Sequence, residues 1–70
     1  MEYTAIYNTP TMKGVEYAFQ ECNDNNAWKF AAWKFSAENI LIVNEETGRY
    51  IRMGETDELE EIYESRRKNL

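Results

Sequence analysis

The run of four large aliphatic residues Ile40-Leu41-Ile42-Val43 constrains the fold more than any other feature. It falls far short of the ~20 residues that cross a bilayer as a helix, and its length and side chains read as a buried strand. The rest of the chain must therefore supply neighbouring strands and a cover. It has 70 residues for this, one domain spanning 1–70, and a chain of that size buries only about 60% of the surface its unfolded form exposes. Ten aromatics (Tyr 5, Phe 3, Trp 2) offset the small size, because each ring buries roughly 150–250 Å².

Two patterns supply the neighbours. Tyr3-Thr4-Ala5-Ile6-Tyr7 is rich in β-branched and aromatic residues and runs into Asn8-Thr9-Pro10-Thr11, where proline presets a turn and cannot donate to a sheet ladder. After Gly14, residues 15–21 alternate, with Val15, Tyr17 and Phe19 on one face; period two marks a strand. These two runs form an antiparallel hairpin. Beyond 40–43, Asn44-Glu45-Glu46-Thr47-Gly48 reads as a short hairpin loop with glycine in the left-handed region, and residues 49–53 return as a strand that Gly54 stops.

Between the hairpins the period changes. Asn23-Asp24-Asn25-Asn26 carries helix-capping chemistry, and residues 27–37 contain neither Gly nor Pro. With Ala27 at zero and 100° per residue, Ala31, Phe35, Trp28 and Ala32 fall at about 40°, 80°, 100° and 140°. This stripe suits a helix lying on a sheet. Phe30 and Trp33 land near 300° and 240°, off the stripe. A last helix follows Thr56 as cap, with Asp57 and Glu58 in its first turn and Arg66, Arg67 and Lys68 in its last, an order that complements the helix dipole. The fold class is α+β in the order ββαββα: a four-stranded antiparallel sheet, one packed helix and a C-terminal amphipathic helix.

The inventory of chemistry is short. There is no histidine, the usual general acid–base residue near neutral pH. Cys22 has no base in the sequence to make its thiolate and reads as a small, half-buried residue. One cysteine without histidine excludes an internal disulfide and the usual zinc constellations. Glu45 and Glu46 read as two solvated acids of a turn, short of a hard-cation loop. The glycines do not make a phosphate cradle. No catalytic residue, metal or cofactor is expected. The N-terminus has no basic-then-apolar signal region, so the cytoplasm is the expected compartment.

Binding is better provided for. Trp28-Lys29-Phe30-Ala31-Ala32-Trp33-Lys34-Phe35 interleaves aromatics with lysines, as a single-strand binder would. On a helix, however, Lys29 and Lys34 do not share a face, and two cations release few counterions. Direct nucleic-acid contact would instead fall to the sheet tyrosines Tyr3, Tyr7 and Tyr50. Phe30 and Trp33, one turn apart, allow two readings: the last helix folds over them through Leu59, Ile62 and Tyr63, or they anchor a partner or a second copy. On the last helix, Glu60, Glu64, Asp57, Glu61 and Glu58 gather opposite Leu59, Ile62 and Tyr63. Five carboxylates along about 10.5 Å of axis approach the linear charge density of duplex DNA, one per ~1.7 Å. With thirteen acids against eight bases (net −5), the expected partner is a protein with a basic surface. The alternatives are a homo-oligomer, a homodimer in its simplest form, and a solvated acidic face with no partner. A membrane surface is not expected to be one, because the chain is anionic.

In size, acidity and element order the chain resembles the small phage-encoded inhibitors of bacterial defence, the anti-CRISPR and anti-restriction proteins. The resemblance covers about residues 3–53: the strand at 15–21 leading through Asn23-Asp24 into a helix bearing Ala27, Trp28, Ala31 and Phe35, then the hairpin of 40–53. It is one of architecture. It implies a non-enzymatic inhibitor, in the cytoplasm of a bacterial host, that blocks a CRISPR effector or other nuclease complex by occupying its nucleic-acid groove or a subunit surface.

Overall fold

Four strands and two helices follow one another in a computed structural model that describes residues 1–68: β1 (Glu2–Tyr7), β2 (Val15–Gln20), α1 (Asp24–Lys34), β3 (Ile40–Asn44), β4 (Tyr50–Met53) and α2 (Asp57–Lys68). The strands form one antiparallel sheet in the order β2-β1-β3-β4, as expected from the pattern. β3 is central and buried at every position from Ile40 to Asn44. Its unbroken apolar run is explained by cover on both faces, since α1 lies on one side of the sheet and α2 on the other.

Register sorts the side chains. Pairing of Tyr3 with Phe19 and Asn44, and of Ala5 with Tyr17 and Ile42, places the odd residues of β1 and β2 and the even residues of β3 beneath α1. There Ala27 and Ala31 are fully buried against Tyr3, Ala5, Ile40 and Ile42, walled by Tyr7, Phe19, Phe35, Ile51 and Met53. Small residues at i and i+4 let the helix approach the sheet closely. Beneath α2, Ile6, Leu41 and Val43 meet Leu59 and Tyr63, with Tyr50 and Ile62 alongside.

Turn chemistry accounts for the connections. The Asn44 side-chain oxygen accepts from the N–H groups of Glu46 and Thr47 at 2.9 and 3.2 Å, and Gly48 takes φ +77°, which only glycine adopts without strain. Gly14 serves closeness as well as conformation. A Cβ there would lie 2.9 Å from the Arg66 guanidinium and 3.0 Å from Ile62, so both side chains of α2 would have to shift to accommodate it.

The first helix departs from expectation. It starts three residues earlier than 27, with Asn23 as N-cap accepting from the Asn26 N–H at 2.8 Å, and it ends at Lys34. Phe35 is extended (φ −106°, ψ 136°) and packs on Tyr7, ring centroids 4.5 Å apart. The buried arc is also narrower than the expected stripe. Centred between Ala27 and Ala31, it leaves Trp28 about 80° and Ala32 about 120° to one side; Trp28 is 43% exposed and Ala32 exposed.

Candidate functional site

The residues expected to carry binding lie on opposite sides of the sheet, Phe30 and Trp33 on α1 and Asp57, Glu58, Glu60, Glu61 and Glu64 on α2. The reading in which the last helix folds over Phe30 and Trp33 is thereby overturned. Leu59 and Tyr63 pack instead on Ile6, Leu41 and Val43, because β1 and β3 already present an apolar face there. Trp33 remains 80% exposed. Phe30 is half-buried, 4.6 Å from Phe19 and 6.3 Å from Trp33 between ring centroids. A run of rings, Tyr3–Phe19–Phe30–Trp33, thus leads from the core to the surface, with Tyr17 beside it carrying the Lys34 ammonium over its face at 5.3 Å.

On α2 the five carboxylates separate into one internal and four outward groups. Glu60 is tied down: Arg52 donates to it at 2.8 and 3.2 Å and the Thr56 hydroxyl at 2.8 Å. Arg52 and Thr56 hold its carboxyl below the ordinary value; the charge persists but is offset by the paired Arg52 guanidinium, which takes Glu60 out of the expected five-charge track. Asp57, Glu58, Glu61 and Glu64 are exposed. Glu64 accepts from the Tyr50 hydroxyl at 2.8 Å, and Glu58 lies 3.5 Å from the well-exposed Lys13. Over about 10.5 Å of axis the outward spacing becomes about one charge per 2.6 Å, looser than duplex DNA.

Two of the three cations of α2, Arg66 and Arg67, turn the other way. Arg66 donates to the Gly14 carbonyl at 2.6 Å and to Glu16 at 2.8 Å. Arg67 donates to Glu16 at 3.3 Å, lies 3.6 Å from Glu45 and stacks 4.1 Å over the Tyr63 ring. Burial pushes the Glu16 carboxyl up, but Arg66 and Arg67 outweigh it and hold it low. Glu45 is an exposed acid of the turn, as expected, and is also the hub of this network: Thr4 donates to it at 2.6 Å and Tyr63 at 2.8 Å. Glu46 behaves as a turn acid, half exposed and accepting from the Glu2 N–H at 3.0 Å.

A second polar cluster fixes the start of α1. Tyr3 and the Asn44 amide both donate to Asp24, at 2.7 and 2.9 Å, with Arg49 3.9 Å away. Those hydrogen bonds hold the Asp24 carboxyl below its ordinary value, while burial and Asp24 push the Tyr3 hydroxyl up to about 12. Direct nucleic-acid binding is not the expected role, and its one proposed platform, the sheet tyrosines, is divided by this geometry. Tyr3 is fully buried and, like Tyr7, faces α1, whereas Tyr50 faces α2, so the three tyrosines offer no common stacking surface. Cys22 is exposed rather than half-buried, with the Asn26 amide 2.8 Å from its sulfur.

Two features escaped sequence reasoning, the exposure of Trp28 and Tyr17 and the position of β2 at a sheet edge. Strand order is set by pairing distant in the chain and leaves no local signal. Among the described residues no helix is long and apolar enough to cross a membrane. Comparison with family models, curated proteins and solved structures finds no match to this chain.

Proposed function

We propose that this protein is a non-enzymatic binding module that lays the outer face of α2 on a basic surface of another protein, most simply one that handles nucleic acid. One observation carries the reading. Arg66 and Arg67 are tied to Glu16, Glu45 and the Gly14 carbonyl, so Asp57, Glu58, Glu61 and Glu64 stand outside as a mostly acidic ribbon with Lys68 at its C-terminal end. Like-signed groups along an exposed helix repel one another, and a complementary basic surface relieves that repulsion while steering association. An inhibitor occupying the nucleic-acid groove of a defence nuclease, as the architectural resemblance implies, would use such a ribbon in place of phosphates.

The test is capture from nuclease-treated bacterial lysate by wild type and by a Glu58→Lys/Glu61→Lys variant. Wild type is expected to retain a nucleic-acid enzyme that the variant loses, with the melting temperature of the variant nearly unchanged. Equal capture by both would refute the acidic-ribbon reading.

A further inference from the structure

The two edges of the sheet are built differently. β4 is a short strand, Tyr50–Met53, carrying Arg52. β2 is six residues, Val-Glu-Tyr-Ala-Phe-Gln, with no proline, glycine or lysine. Its single charge, Glu16, is already held by Arg66 and Arg67. Natural edge strands are usually guarded against pairing by shortness, proline, bulges or charges; β2 has no proline, and its one charge is neutralised within the fold. Among the described residues no other strand pairs with its outer side.

The direction of the free hydrogen-bonding groups follows from the register. Met1 and Glu21 exchange both backbone bonds, at 2.7 and 3.1 Å. Alternation along an antiparallel ladder then turns the N–H and C=O of Glu16, Ala18 and Gln20 away from β1, toward the open edge. On the α1 side of that edge stand Tyr17, 39% exposed, and beyond it Phe30 and the 80% exposed Trp33.

We propose that the open edge of β2 is a self-association surface, pairing antiparallel with β2 of a second copy about a two-fold axis perpendicular to the sheet through Ala18. This register satisfies the outward groups: Ala18 pairs with its own counterpart and Glu16 with the partner's Gln20, both as hydrogen-bonded pairs. Tyr17 then faces Phe19 across the junction on the α1 side, an aromatic pair at a non-hydrogen-bonded position, where side chains come closest. The Phe30 and Trp33 rings of both copies close over these pairs. No like charges stand opposite one another, because Glu16 meets an amide and Ala18 a methyl group. The local charge is balanced as well, with Glu16 offset by Arg66 and Arg67 and Lys34 lying over Tyr17. Each copy contributes a strand about 20 Å long. A standard interface needs about 800 Å² per partner, roughly a sixth of the 4695 Å² surface. The product is an isologous dimer with one continuous eight-stranded sheet. It leaves the acidic ribbon of α2 free and does not rest on that ribbon having a partner.

The decisive experiment is sedimentation velocity across micromolar to high-micromolar concentration, with amide hydrogen exchange at both ends. The wild type is expected to move from the 8.3 kDa monomer to a species of twice that mass, and the Glu16, Ala18 and Gln20 amides to gain at least tenfold protection as it does. Ala18→Pro removes only an outward donor and is expected to remain a folded monomer at every concentration. Should that variant fail to fold, Ala18→Lys takes its place by setting two ammonium groups against each other across the axis. A strictly monomeric wild type, or a dimer that survives in the folded variant, would overturn the proposal. So would a monomer whose three amides become protected only when an extended peptide of foreign sequence is added.

Discussion

The two faces of the sheet are built from neighbouring residues of the same strands and are held by different means. Beneath α1 the contact is almost wholly apolar: two alanines seated on Ile40 and Ile42, a wall of rings, and one polar cluster at Asp24. Beneath α2 the apolar strip is joined by a polar frame running from Arg66 and Arg67 through Glu16 and Glu45 to Tyr63 and Thr4, with Arg52–Glu60 on the far flank. The difference teaches how a small chain can place a charged helix on a sheet. α2 carries many acids, yet it docks because its two arginines are spent on the frame and most of its remaining acids point outward.

The largest effects should come from β3, which serves both faces. Ile42→Ala opens a cavity beneath α1 and Leu41→Ala one beneath α2, and each should cost about 2–5 kcal/mol by denaturant unfolding. Hydrogen exchange separates the two: the first should release the amides of α1, the second those of α2. If either substitution loosens both helices equally, the faces are not independent. A smaller loss should follow Glu45→Ala, which leaves the buried Thr4 and Tyr63 hydroxyls without their acceptor, at about 1–3 kcal/mol. Its exchange signature should be confined to α2.

Acid should act on both faces through their carboxylates. Asp24, Glu16 and Glu60 are held below their ordinary values of 3.8, 4.5 and 4.5. The stability they contribute is therefore complete above those values and is lost as pH falls through their lower values in the folded state. Tyr3 and Tyr50, both raised to about 12, have the opposite sign: their contribution is complete below pH 10 and disappears as pH rises from there toward 12. Unfolding free energy should accordingly be flat from about pH 5 to 9 and fall on either side. A continued rise in stability below pH 4 would contradict the ties drawn to these carboxylates. The smallest effect belongs to Trp33→Ala, which should change stability by no more than about 0.5 kcal/mol, since the ring is 80% exposed; a loss of 2 kcal/mol would place that ring in the core.

The element order and the four-stranded antiparallel sheet were legible because each rests on a local signal: two periods of two, the apolar run of β3, capping chemistry at Asn23 and glycines at the turns. Small residues at Ala27 and Ala31 also marked the buried face of α1. The covering of both sheet faces was not legible, and neither was the side on which α2 docks, since both depend on which distant strands pair. For the same reason Phe30 and Trp33 could not be assigned to core or surface from a helical wheel. Glu45 and Glu60 passed as surface acids because their partners, Tyr63 and Thr4 for one and Arg52 for the other, lie in other elements. The acidic ribbon was half legible. The wheel found its residues but not the inward turn of Arg66 and Arg67 that leaves it exposed.

The separation of the two faces is tested most directly by one capture experiment with three proteins side by side: wild type, Glu58→Lys/Glu61→Lys and Trp33→Ala, each at low and at moderate salt. The account predicts that the partner is held by wild type and by Trp33→Ala, released by the charge reversal, and weakened for all by salt. Loss of the partner by Trp33→Ala, with retention by the charge-reversed protein, would contradict it and move the binding surface to the α1 side.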